Sequence, residues 1–369
     1  MADPRATVAR RAARARDFVD DTEPAALAVV AVVLASLLAA FVGFLLTASW
    51  TAVPFAVALV ASGYGWVRCQ ALLVRAATFA MTTVTLVTLG LIVVFIFLEA
   101  VPAFRYGSGT LFGVTVPGLR MFTHTRWSVV SSPVRYSLLP MIHGTVMVTV
   151  IATLVAGPLG VAAALFISEI APPTIRELVK PAVEILAGIP SIVYGFIGFT
   201  IINPWAGRQF ALNGGATYLF VGAVVGLMAL PTVVSVAEDA LTSVPDSMKN
   251  GSLALGATDW QSMTSITLPA AFSGVSAAVL LGVGRAIGET MAATVMLRNV
   301  PRISDPLYNV FYGYETLTSV IASDYGSANG LHENALFAAG VVLFVTVMFL
   351  SVGSQYVEAR MERELGGEL

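Results

Sequence analysis

A chain of 369 residues that is 57% hydrophobic and only 11% charged lies outside the soluble range and reads as a membrane protein. The net charge of −2 comes from residues gathered in the gaps between apolar runs and gives no basic footprint for a nucleic acid. The single cysteine, Cys69, excludes an internal disulfide, and three scattered histidines supply no metal-ligand spacing, so a soluble redox or metal enzyme is excluded and neither metal nor cofactor is expected.

The chain opens on a basic segment with Arg5, Arg10, Arg11, Arg14 and Arg16. The apolar run behind it is about 23 residues, longer than the 7–15 of a cleavable signal, and reads as a retained anchor. Spanning helices need roughly 17–25 apolar residues. Stretches 25–48, 50–67, 76–100, 143–168, 182–202, 216–237, 270–297 and 335–357 meet or nearly meet that length. The second, with Pro54, Ser62, Gly63 and Gly65, is the weakest and could be tilted or re-entrant. Strand signals are scarce and barrel-type alternation is absent, so the fold class is an all-α membrane protein, a polytopic transmembrane helix bundle.

An even number of spans puts both ends on one side. With the N-terminus cytoplasmic, the inner basic residues are those of the tail with Arg68, Arg75, Arg176, Lys180, Lys249, Arg360 and Arg363. They outnumber the outer Arg105, Arg120, Arg126, Arg135, Arg208, Arg298 and Arg302, as the positive-inside rule asks. Outside, the aromatic and Gly/Pro-rich segment 101–142 reads either as a partner-binding cap or as an interfacial aromatic belt. In span 182–202, Pro190 removes a backbone donor and predicts a kink that would aim Ser191 at a path, or serve packing alone. Gly195 and Gly198 then offer a smooth face to a neighbouring helix.

The inner segment 238–269 carries the strongest pattern. Pro245 and Asp246 suit a first helical turn, and Gly256 ends that helix. Thr258 with Gln261 forms a capping-box pattern that starts a second helix, and Leu268-Pro269 is expected to break it and open the next span. Such an elbow, held out from the bilayer, suits docking to a soluble partner. A plain helical linker is the alternative.

These residues resemble the coupling loop of ABC-importer permeases: Gly256, nine residues to Ile266, then Leu268-Pro269, with Asn250-Gly251-Ser252 where that pattern has Glu-Ala-Ala. Glu184–Gly195 (EILAGIPSIVYG) and Gly284–Ala292 (GRAIGETMA) look like signatures of the phosphate-uptake permeases. The tail blocks Thr316–Ala322 and Ala335–Gly340 are similar to the C-type subunit (PstC). The resemblance implies a six-span type I importer core over 76–357. A tail with two extra spans (1–75) would precede it and a short tail (358–369) follow it. It implies ATPase coupling through Gly256 with Ala254, Leu255, Ala257, Leu268 and Pro269. It also implies an A-type permease partner, two ATP-binding subunits and an extracytoplasmic phosphate-binding protein, in the plasma membrane of a prokaryote.

Arg285 and Glu289, four residues apart in span 270–297, are expected on one helix face and inside the bundle, since a central Arg costs about 2.5–3.5 kcal/mol on insertion scales. For phosphate, a guanidinium offers two parallel donors, so Arg285, Glu289 and Ser191 are the candidate path residues. A static Arg285–Glu289 pair is the alternative. No Gly-x4-Gly-Lys-Ser/Thr loop occurs, so the chain is expected to be a non-enzymatic subunit. A permease for sulfate or molybdate, and an ion-coupled secondary transporter, are the competing functions.

Overall fold

The computed structural model describes residues 24–212 and 214–366, without side chains at 354 and from 357 on. The basic segment with Arg5 to Arg16 lies outside the described residues, as do the side chains of Arg360 and Arg363.

Two compact units divide at Val94/Phe95, inside one long helix. In the first unit, α1 (Pro24–Leu45) and α2 (Ala52–Arg68) form an apolar pair with the start of α3 (Gln70–Tyr106). Val30, Val33 and Leu73 make its small buried core. Gly65 lets that core close, because a Cβ there would stand 3.0 Å from Val29 and 3.2 Å from Leu73. The weak second stretch is thus a helix in its own right, and Ser49–Arg68 is apolar enough to span.

The second unit holds the bundle. After α3 come two short antiparallel ribbons, β1 (Gly109–Leu111) with β2 (Val114–Val116) and β3 (Trp127–Ser128) with β4 (Arg135–Tyr136), flanking α4 (Leu119–Thr123). Strands of two or three residues are too short to show an alternation of their own, and none is expected from the sequence. Then follow α5 (Leu139–Leu165, prolonged by a π turn Phe166–Ile170), α6 (Pro173–Gly188), α7 (Ser191–Gln209) and α8 (Tyr218–Thr242). The chain continues through α9 (Asp246–Ala254), α10 (Asp259–Ala270), α11 (Phe272–Ile287), α12 (Met291–Met296), α13 (Leu317–Asp324) and α14 (Leu331–Gly366).

Among the described residues, six helices are long and apolar enough to cross a membrane, and two bent pairs raise the number to eight. The bent pairs are α6 with α7, at 86°, and α10 with α11, at 72°. The first bend falls at Ile189-Pro190, where the sequence places its kink.

Small residues set how closely the helices approach. On α8, Gly222 and Gly226 are spaced one helical turn apart and press on α5, where an added Cβ would stand 2.6 Å from Ile151 and 2.8 Å from Val155. On α7, Gly195 and Gly198 seat against Ala292 and Met296 of α12, the smooth face read from the sequence. Thr145 of α5 accepts the Leu317 N–H at 2.9 Å, so α13 hangs from the bundle core.

Just before α13, Glu315 is 3% exposed. Burial, reinforced by Asp324 and opposed by a hydrogen bond from Ser323, pushes its carboxyl from 4.5 up to about 7. The folded chain therefore holds this proton more tightly than the unfolded chain. Stability from this group is fully present below pH 4.5 and lost as pH rises to 7, by roughly 3 kcal/mol in all. Thermal unfolding of the purified protein at pH 5 and pH 8 should show this loss, and Glu315→Gln should be more stable than the parent at pH 8 but not at pH 5. An equal pH response in the two proteins would remove Glu315 as its source.

Candidate functional site

Pro245 caps α9, Asp246 sits in its first turn, and the helix ends at Ala254. Gly256 follows at φ +91°, a left-handed conformation that a β-carbon strains. A full capping box then starts α10: the Thr258 hydroxyl accepts from the Gln261 backbone N–H at 3.2 Å, and the Gln261 side-chain Oε1 accepts from the Thr258 N–H at 2.9 Å. The helix–Gly–helix elbow is thus built as its residues dictate.

Pro269 does not break the second helix. A π turn over Met263–Thr267 precedes it, and the direction changes two residues later, at Ala271. The wider turn carries the chain past the missing proline donor without ending the helix.

Two apolar side chains stand out at the elbow. Leu255 is 91% exposed and Trp260 is 66% exposed, beside Ala254, Gly256 and Ala257. Sequence reasoning found Leu255 by its place in the motif and missed Trp260, which the aromatic at the second position of α10 could have signalled. Leu268 lies partly buried against the Ala237 and Leu241 cluster, and so holds the loop to the bundle from below.

The loop is fastened elsewhere as well. Lys249 Nζ lies 2.7 Å from Glu169 Oε1, a well-shielded ion pair joining α9 to the end of α5, and Ser252 shares a 2.7 Å hydrogen bond with Ser262. Position 250 carries Asn, yet a carboxylate stands in the same groove as Glu169. Eighty residues separate Lys249 from Glu169, and no local pattern foretells that pairing. Glu169→Gln should strand the shielded Lys249 charge and lower thermal stability by about 3 kcal/mol or more, and the swap Glu169→Lys with Lys249→Glu should recover most of it. Unchanged stability in the single variant would mean that the pair does not fix the loop.

The break after α11 rearranges the intramembrane charges. The helix ends at Ile287 with Gly288 as its cap, so Glu289 lies beyond it and does not share a helix face with Arg285. Its Oε1 accepts the Ala292 N–H at 3.0 Å and caps α12, while its carbonyl accepts from the Thr318 hydroxyl at 2.8 Å. Among the described residues no carboxylate lies within ion-pair distance of Arg285. The static pair expected as an alternative is therefore not formed.

Arg285 instead faces a cavity of about 600 Å³ with Thr232, Gly284, Ser351 and Gln355 on its wall. It is exposed in the single chain. Ser191 opens α7 just past the 86° bend and is half-buried. Neither it nor Glu289 is among the residues lining the Arg285 cavity.

The family described as "Binding-protein-dependent transport system inner membrane component" matches residues 156–363, more than half of the chain and all of the elbow. The chain belongs to that family. The probable ABC transporter permease protein YqgH of Bacillus subtilis (strain 168) is 36% identical over 248 residues, 66% of this chain and 79% of the relative. The phosphate transport system permease protein PstC of Mesorhizobium japonicum is 30% identical over 312 residues, 79% of this chain and 91% of the relative. A crystal structure of a bacterial alginate ABC transporter shares the fold, with a TM-score of 0.53 at 16% identity over 78% of this chain and 94% of its own. The resemblance first carried by the loop and the two signature stretches is borne out, and the bundle is that of a binding-protein-dependent permease, a multi-pass membrane protein.

Proposed function

We propose that this chain is the C-type permease subunit of an ATP-driven importer that carries inorganic phosphate into the cell. The observation that carries the transport reading is the elbow, a left-handed glycine turn followed by a capping box, at which Leu255 and Trp260 are exposed. An ATP-binding subunit with an apolar groove would seat these side chains, and the ion pair to Glu169 would pass its movement to α5.

Phosphate as the cargo is supported by the PstC relatives and by Arg285, whose fork of donors matches a pair of phosphate oxygens. An exposed guanidinium within a span is expensive against lipid, so a second permease chain of the A type would cover that face and complete the path. The full assembly would add two copies of the ATP-binding subunit and an extracytoplasmic phosphate-binding protein. With both termini and 238–269 cytoplasmic, 101–142 would face outside, and residues 76–357 would form the permease domain. No phosphate-loop motif is present, so hydrolysis would belong to the separate subunit.

Uptake of radiolabelled phosphate by the reconstituted complex, with sulfate and arsenate as competitors, tests this reading. ATP-dependent accumulation inhibited by arsenate and insensitive to sulfate is expected. Uptake of labelled sulfate in place of phosphate would overturn the choice of anion.

A further inference from the structure

The cap between α3 and α5 holds a second, separate concentration of cations. The β3–β4 ribbon is anchored from below: Trp127 and Tyr136 meet edge to face at 5.1 Å, and Tyr136 stacks on His332 at 5.9 Å. Met121 and Leu138 are fully buried beside them, and Leu138 N–H donates to the Met121 carbonyl at 2.8 Å. The Tyr106 hydroxyl ties the end of α3 to the Val134 carbonyl at 3.0 Å, and Ser137 donates to the carbonyls of Met121 and His124.

This frame fixes the backbones of Arg120, on α4, and Arg135, on β4. Together with Arg126 and His124 they line one cavity of about 360 Å³. Among the described residues no carboxylate lines it, and none of the three arginines forms an ion pair. Three exposed arginines on the wall of one hollow, with no described acid beside them, make the potential there positive. Their neighbours on the wall, the Tyr106, Pro133 and Val134 side, bring no negative charge. A tetrahedral oxyanion supplies the missing charge and has enough acceptor oxygens to take donors from three directions, which fits guanidinium geometry. The hollow is larger than a bare phosphate and admits it with water, or admits the phosphate of a larger molecule.

We propose that the hollow framed by Arg120, Arg126 and Arg135 binds a phosphate group, either as free inorganic phosphate or as the headgroup of an anionic lipid. The site is distinct from the Arg285 cavity and shares no residue with it. Only its use, as a waiting place for cargo or as a lipid anchor, rests on the transport reading; its binding does not.

The test uses the purified permease–ATPase complex, without the phosphate-binding protein, in dodecyl maltoside, free of phospholipid, and in an Arg285→Gln background so that the other cation is silent. Labelled inorganic phosphate should bind saturably at low ionic strength, weaken steeply with added salt, and weaken tenfold or more in Arg120→Gln/Arg135→Gln. In a second arm, phosphatidylglycerol is titrated and the lipids retained are counted by native mass spectrometry. Lipid retention lost in the double variant, with no binding of inorganic phosphate, assigns the headgroup as the source. Arg126→Gln alone, whose side chain makes no hydrogen bond in the structure, gives a smaller loss in the same arm and serves if the double variant fails to assemble. Binding of both probes unchanged in every variant, or absent from the parent, overturns the proposal. Failure of phosphate uptake by the parent complex, with Arg285 in place and this binding intact, would count against the transport reading alone.

Discussion

Arg285→Gln should lower phosphate uptake by roughly 30-fold to 100-fold in an otherwise assembled complex, the equivalent of a charged hydrogen bond of about 2–3 kcal/mol. The guanidinium lines its cavity without a carboxylate partner among the described residues, and no described residue satisfies it. Arg285→Lys keeps the charge and loses the paired donors, and should fall in between, near tenfold. The double variant Arg285→Gln/Glu289→Gln should be no better than Arg285→Gln, because Glu289 is occupied with the Ala292 N–H at 3.0 Å. Full uptake by the double variant would mean that the two charges neutralise each other in the working protein, and that Arg285 does not meet the anion.

The second large effect is expected at the elbow. Leu255→Asp adds a charge to a side chain that is 91% exposed and touches little of its own chain, so the bundle should fold normally. If Leu255 enters a groove on the ATP-binding subunit, association should weaken by about 2 kcal/mol or more, some thirtyfold, and transport-coupled hydrolysis should fall with it. Gly256→Leu should act in the same direction for a different reason. No atom stands within 4 Å of its missing Cβ, but its φ of +91° would strain a side chain by about 1–2 kcal/mol and tilt the two helices. Normal ATPase binding and transport by Leu255→Asp would remove the elbow from the coupling surface. Trp260→Ala, at the other exposed apolar side chain, checks the same surface without adding charge.

Local chemistry made much of this protein legible. Long apolar runs locate the spans, Pro190 locates the 86° bend, and Thr258 with Gln261 locates the start of α10. What escaped depends on contacts far apart in sequence or on departures from α-helical spacing. Arg285 and Glu289 fall at a spacing that an unbroken helix would align, and only the cap at Gly288 separates them. Pro269 would stop an α-helix, but the π turn ahead of it moves the change of direction to Ala271. The ribbon Trp127–Tyr136 is held by packing on His332 of α14, and Gly109 of the first ribbon closes on Leu119 of α4; neither ribbon has a pattern of its own to announce it.

The open face around Arg285 also bears on how such a chain must be made. A copy with that face uncovered would present to the hydrocarbon a cation that no described acid neutralises. Its insertion would then be a metastable event, ending either in capture by the matching half or in recognition by the proteases that clear misassembled membrane chains. Balanced synthesis of the two halves would follow as a requirement of the bilayer rather than of regulation. The guanidinium proposed to meet the anion would act, earlier in the life of the molecule, as a mark of incompleteness.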